Sequence, residues 1–171
     1  VVFDKTGTIT HGKPKVTDVL SYSSEDYDEI VRIAASLEKQ SEHSLAQAIL
    51  EKANNSHLAR VSSFSVYPGK GVSGKIDNKE YYFGNRLLAL DTKTTILETA
   101  EKQIRELEQH GKTVMVLSTN SKLVGAIAVA DTIKKESISA ISNLQKRGIK
   151  TILLTGDNMR TARAIADQVG I

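Results

Sequence analysis

The sequence contains no cysteine and no tryptophan, only 2 prolines in 171 residues, and only 5% aromatic side chains. Without thiols there is no disulfide framework and no thiolate metal cluster. His11, His43, His57 and His110 have no tight ligand spacing that could replace one. No uninterrupted apolar run approaches the roughly 18 residues that suggest a membrane helix. The formal charge is +3, and no basic run is interleaved with aromatics, so the footprint of a nucleic-acid binder is missing. Internal repeats and low-complexity tracts are absent as well. What remains, 40% apolar and 25% charged residues, is an ordinary globular composition. The length suits one domain or two small ones.

The opening stretch carries the first chemical signal. Val1-Val2-Phe3 reads as the end of a strand buried on both faces, and it breaks abruptly into Asp4-Lys5-Thr6-Gly7-Thr8. In an open parallel sheet the carboxyl ends of the strands carry the chemistry, so Asp4 stands where a substrate would bind. Gly7 lets the backbone turn closely, and Lys5 with nearby amides can compensate phosphate charge. A carboxylate in such a cradle can attack phosphorus. Capping of a turn by Asp4 fits the same residues. A second stretch, 149–154, is again an apolar strand and ends in Thr155-Gly156-Asp157-Asn158 before a helix, offering a hydroxyl, free amides and a helix start to phosphate oxygens. Two strands ending in compatible polar loops, one near each end of the chain, favour a composite site.

Between these stretches the periodicity predicts an α+β unit. A strand over 16–20 leads to a helix from about residue 25, capped by Ser23 or Ser24, with Tyr27, Ile30, Val31, Ala34 and Leu37 on one face. Leu45, Ala46, Ile49, Leu50 and Ala53 form the stripe of a second helix. Strands over 61–67, 72–76 and 80–83 alternate with tight turns, Pro68-Gly69-Lys70-Gly71 and Asp77-Asn78. A short helical piece carries Leu87, Leu88 and Leu90. A longer helix spans 94–110 with Leu97, Ala100, Ile104 and Leu107 inward, and Gly111 stops it. Strands over 113–118 and 123–129 close the unit, whose hairpins imply a mainly antiparallel sheet. From Asp131 the rhythm becomes βαβα: a helix over 134–147 with Ile138, Ile141 and Leu144 inward, the strand 149–154, and a last helix opened by Asn158 with Ala162, Ile165, Ala166 and Val169 on one face. The opening strand belongs beside 149–154 in a parallel sheet. A chain opening directly on a strand of the buried type suggests a piece of a longer protein.

Asp4-Lys5-Thr6-Gly7-Thr8 resembles the phosphorylation motif of P-type ion-transporting ATPases, and Thr155-Gly156-Asp157-Asn158 resembles their second phosphate-site motif. Ser41-Glu42-His43-Ser44 and Gly69-Lys70-Gly71-Val72 narrow the resemblance to the heavy-metal branch, although Ser44 stands where that branch has proline. The resemblance implies an α/β and α+β fold: a partial haloacid-dehalogenase-like parallel sheet (1–11 and 130–171, truncated) interrupted by an inserted nucleotide-binding domain (12–129). It implies ATP and Mg2+ as cofactors and an aspartyl phosphate on Asp4. Lys5 and Thr6 would position that loop, the Thr6 carbonyl and Asp4 would form part of an incomplete magnesium site, Thr155 would bind the transferred phosphoryl group, and Gly156 and Asp157 would organise the site. Glu42, His43, Gly69 and Gly71 would line the nucleotide pocket.

The residues themselves leave alternatives for several of these positions. Gly69-x-Gly71 permits close approach to a ring or ribose but equally suits a plain hairpin turn; it is neither a P-loop nor a Gly-x-Gly-x-x-Gly pattern. Glu42 and His43 can face adenine or simply cap a helix, and Ser44 removes a preset φ at the helix start. Asp131 and Lys134 lie where the chain re-enters the first sheet, with a structural role at the site's edge or plain capping and solvation. For the whole protein the resemblance implies an ATP-driven cation translocase at the cytoplasmic face of a membrane. Its partners would be nucleotide, transmembrane and actuator domains of the same polypeptide, and metal chaperones, with no nucleic acid. This fragment alone would be catalytically incomplete, since the later lysine and acidic magnesium motif of the family do not follow. A cap-bearing soluble phosphatase of the same sheet class and a non-catalytic nucleotide-binding module are the alternatives.

Overall fold

The computed structural model describes residues 1–41, 44–54 and 57–171. The chain runs β1 (Val2–Asp4), a tight loop (Lys5–Ile9), β2 (Lys15–Ser21), α1 (Tyr27–Glu38), α2 (Ser44–Lys52), β3 (Ser62–Tyr67), β4 (Gly71–Ile76) and β5 (Lys79–Gly84). It continues through α3 (Arg86–Asp91), α4 (Glu98–Gln109), β6 (Thr113–Thr119), β7 (Lys122–Ala130), α5 (Lys135–Lys146), β8 (Ile152–Leu154) and α6 (Met159–Val169).

Two sheets result. β1 and β8 pair in parallel, and the other six strands form an antiparallel sheet in the order β2-β7-β6-β5-β4-β3. Two of its hairpins close through residues with positive φ, Asp77-Asn78 and Asn120-Ser121, the conformation that two-residue turns require and that Asn and Asp tolerate. Side chains alternate across the central strands. Met115, Leu117, Ile127 and Val129 join a core under α1 and α2, whereas Val114, Val116, Ala126 and Ala128 join a second core with Ala89, Ala100 and Ile104 of α3 and α4. Helices on both faces explain why β6 and β7 read as unbroken apolar runs.

The parallel pair is covered on one face only. Phe3 and Leu153 pack with Ile9, Ile141, Ile165 and Val169 against α5 and α6, while Val2 (58%), Ile152 (46%) and Leu154 (60%) are exposed on the other side. The expectation of a first strand buried on both faces is thus corrected, because among the described residues no layer covers the second face. Val1 (55%) and Ile138 (45%), expected inward, are exposed for the same lack of a neighbour.

Other boundaries shift for local reasons. Pairing in β8 begins at Ile152 and not at residue 149, since the Ile149 amide donates back to the Leu144 carbonyl at 3.1 Å to close α5. Helix α4 begins at Glu98, not 94, because the Thr95 amide donates to the Ser121 carbonyl and Thr95 bridges Lys122; Leu97 is left 69% exposed. Asp26 caps α1, accepting from the Glu29 amide at 2.8 Å, while Ser23 donates instead to the Val124 carbonyl at 3.0 Å. Tyr27, in the first turn, is 61% exposed and does not join the buried stripe. The two crossings between sheets pair with each other: Thr10 bridges Ile133, and Asp131 accepts from the Gly12 and Lys13 amides at 2.8 and 3.2 Å.

Candidate functional site

Because Asp4 is in register with Leu154, the loops after β1 and β8 leave the same end of the sheet side by side. The first loop turns tightly at Gly7, where φ is +79°, a conformation that disfavours a β-carbon. Thr10 ties it, its hydroxyl accepting from the Gly7 amide at 3.3 Å and donating to the Lys5 carbonyl at 3.2 Å. From across the crossing, the Lys134 ammonium donates to the Gly7 carbonyl at 2.6 Å. Asp4 is exposed at the end of β1 and its side chain makes no capping hydrogen bond, so the turn-capping role open from sequence is not filled.

The second loop folds around Asp157. The Thr155 hydroxyl donates to Asp157 Oδ2 at 2.8 Å and accepts from the Asp157 amide at 3.1 Å. Lys5 Nζ forms an ion pair with the same Oδ2, and the Thr113 hydroxyl donates to Oδ1 at 2.7 Å. Side-chain exposure is 13% for Lys5 and 7% for Asp157. Burial on its own pushes the Asp157 carboxyl up; the Lys5 charge and the hydrogen bonds from Lys5, Thr113 and Thr155 outweigh it and hold the group below its ordinary 3.8. Asn158 then caps α6, accepting from the Arg160 and Thr161 amides at 3.0 and 3.2 Å.

The arrangement is therefore a buried lysine–aspartate pair with an exposed rim. Asp4, Thr6 and Gly156 form that rim, and a β-carbon at Gly156 would meet nothing within 4 Å. An exposed carboxylate without a capping partner, beside a lysine held in place, can present a nucleophile to an anionic group. The Asp4 carboxylate and the Thr6 carbonyl are hard oxygen donors of the kind magnesium prefers. Among the described residues no cluster of three or more His, Cys, Asp or Glu could hold a metal by itself.

The structure brings the loop of Asp4, Lys5 and Thr6 beside that of Thr155, Gly156 and Asp157, and leaves Gly69 and Gly71 on the antiparallel sheet. Glu42 and His43 lie outside the described residues. Gly69 and Gly71 bracket the β3–β4 turn, which the Asn85 amide and side chain hold by donating to the Lys70 and Gly69 carbonyls, both at 2.8 Å. At Gly71, with φ +149°, a β-carbon would sit 2.3 Å from the Phe83 carbonyl oxygen and 2.5 Å from Gly84 Cα. The sheet's own packing already forbids a side chain there. Beside Gly69, with φ +69°, the space is open. We expect Gly71→Ala to cost about 1–3 kcal/mol through forced backbone displacement, read as a lower urea midpoint; an unchanged midpoint would contradict the packing argument.

Sequence reasoning missed several residues that the fold brings into play. Thr113 reaches Asp157 from the other sheet, and nothing in a strand-opening threonine signals that. Glu38, 4% exposed at the end of α1, sits just before the segment leading to Glu42, and burial raises its carboxyl above 4.5 while Ser41 acts in the opposite sense. Its position three and four residues after Ala35 and Ala34, on the buried stripe, was the available clue. Glu108 is 1% exposed and accepts from Arg86, Asn158 and Arg160, joining α4 to α6.

Comparison with known proteins agrees with this geometry. A family model described as haloacid dehalogenase-like hydrolase matches residues 1–171. The copper-exporting P-type ATPase of Staphylococcus haemolyticus (strain JCSC1435) is 44% identical over 173 residues, covering 100% of this chain and 21% of that protein. The copper-transporting ATPase RAN1 of Arabidopsis thaliana is 38% identical over 192 residues, covering 100% of this chain and 19% of its own length. The chain thus spans about a fifth of these curated relatives. A crystal structure of a zinc-transporting PIB-type ATPase in the E2.Pi state superposes with a TM-score of 0.70 at 32% identity, over 99% of this chain and 28% of that one. A motif pair read from sequence, an uncapped carboxylate at the end of a parallel strand and a family match over every residue converge: the chain belongs to the haloacid dehalogenase-like hydrolases, and within them its likeness is to P-type ATPases of the heavy-metal branch.

Proposed function

We propose that this chain is the ATP-binding and phosphoryl-accepting region of a heavy-metal-transporting P-type ATPase. Residues 1–11 and 130–171 would belong to the phosphorylation domain and 12–129 to the nucleotide-binding domain. The observation that carries the reading is the exposed, uncapped Asp4 carboxylate at the carboxyl end of β1, next to a buried Lys5–Asp157 pair supplied by both loops. An Asp4 oxygen attacks the γ-phosphorus of ATP, the bond from that phosphorus to the β–γ bridging oxygen breaks, and ADP departs; water later hydrolyses the aspartyl phosphate. Lys5 holds positive charge at the base of the site, the Thr155 hydroxyl, which donates to Asp157 Oδ2, would turn to the incoming phosphoryl group beside Gly156, and Asp157 keeps Lys5 in place. Magnesium, when bound, supplies charge neutralisation, and Asp4 and Thr6 are the residues here that would hold it. The open side of the Gly69 turn, with Glu42 and His43, would receive the nucleotide. In such a pump membrane passage would belong to other segments; among the described residues no helix is long and apolar enough to cross a membrane.

The test is acid-quenched labelling of the full-length pump with terminally labelled ATP. Wild type should yield an acid-stable phosphorylated intermediate and Asp4→Asn none. Equal labelling of both proteins would overturn the assignment. ATP binding to the 171-residue chain, measured by calorimetry, should survive Asp4→Asn, since the nucleotide residues lie elsewhere.

A further inference from the structure

We infer that Thr113 of the antiparallel sheet is a positioning residue for the phosphate site, holding the Asp157 carboxylate in the orientation that faces Lys5. The inference rests on the proposed phosphoryl transfer at Asp4.

Asp157 has two oxygens to satisfy in a site that leaves it 7% exposed. Oδ2 is taken by Lys5 and Thr155, from the loop after the neighbouring strand and from two residues earlier. Oδ1 accepts from Thr113 at 2.7 Å, the one donor among the described residues that comes from the six-stranded sheet. A carboxylate can turn about its side-chain torsions, and a donor on Oδ1 fixed to a different element blocks that rotation.

Thr113 itself is stiff for three reasons. Its side chain is β-branched, its backbone is in register with Val129 in the β6–β7 ladder, and the residues before it are docked along α6. In that docking Glu108 accepts from Asn158 and Arg160 at 3.0 and 3.2 Å, and the Lys112 carbonyl accepts from the Thr161 hydroxyl at 2.9 Å. Gly111 lies so close to Ile165 that a β-carbon would come within 2.9 Å of its Cδ1. The sheet that would carry the nucleotide therefore reaches into the phosphate site with one hydroxyl. Seating of the one on the other completes the hydrogen bonding of Asp157, and through it the placement of Lys5.

Two measurements test this with Thr113→Val, which keeps shape and strand preference but removes the donor, and Thr113→Ser, which restores it. In the 171-residue chain, hydrogen exchange at the Asp157 amide should be several-fold faster in the valine variant and return toward wild type in the serine variant. In the full-length pump at saturating ATP, the valine variant should form the acid-stable phosphorylated intermediate about tenfold more slowly, with the ATP concentration for half-maximal rate unchanged, because misplacement of a charged group affects the chemical step. Serine should recover most of that rate. Unchanged exchange in the valine variant, or a valine rate equal to wild type, overturns the inference. So does a rate loss that serine fails to restore. If wild-type pump forms no Asp4-dependent intermediate, the functional reading fails, while the exchange measurement still decides whether the Thr113 hydroxyl holds Asp157.

Discussion

Glu108→Ala lowers the unfolding free energy of the chain by about 3 kcal/mol, the lower end of the range for removing one member of a buried ion pair. Glu108 is 1% exposed and accepts from Arg86 at 2.9 and 3.3 Å, from Asn158 at 3.0 Å and from Arg160 at 3.2 Å. Alanine leaves those donors facing a small void between α4 and α6. The loss stays at the low end because Arg86 keeps Glu101 at 2.5 Å and is itself 24% exposed. Arg160→Ala is the control. Its side chain is 43% exposed, so the loss should stay below about 1 kcal/mol. Urea denaturation of both variants supplies the comparison, and equal midpoints would show that Glu108 is no junction.

Asp157→Asn removes the anion paired with Lys5 and should cost about 3 kcal/mol near neutral pH, since a lysine only 13% exposed then lacks its counter-charge. The pH dependence gives an independent check. The folded carboxyl is held below its ordinary 3.8, so Asp157 contributes stability fully present above that value and lost as pH falls through the lower, folded one. Wild type and Asp157→Asn should therefore differ most near neutral pH and converge only as pH falls through the depressed folded value, below the ordinary 3.8. Asp18, Glu25 and Glu101 are also depressed and keep an acid limb in both proteins. A difference that stays constant with pH would mean that the pair adds nothing specific to the ionised form.

How much of this was legible beforehand follows from the range of each interaction. The β4–β5 and β6–β7 turns, the α6 cap at Asn158 and the stripes of α1 and α2 rest on contacts within a few residues, and the sequence displays those directly. The parallel pairing of Val2-Phe3-Asp4 with Ile152-Leu153-Leu154 could be expected because apolar strand ends with polar loops leave few places to go. Helix α4 was misread at its start because Leu97 fits the stripe by spacing, while a bridge between Thr95 and Lys122 pulls that stretch into extended form. Val2, Ile152 and Leu154 show the same limit of composition, since an apolar residue does not say whether a second layer covers it.

By itself the sequence determined the two sheet types, the polar loops after β1 and β8 and the residue kinds they carry, because strand period, turn chemistry and motif spacing are encoded locally. The tertiary structure alone decided that Thr113 and Lys5 meet on Asp157, that Glu108 is buried between α4 and α6, and that Gly71 answers to Phe83 and Gly84. Those contacts join residues a dozen or more positions apart, which only strand pairing within each sheet and the docking of α4 against α6 bring together.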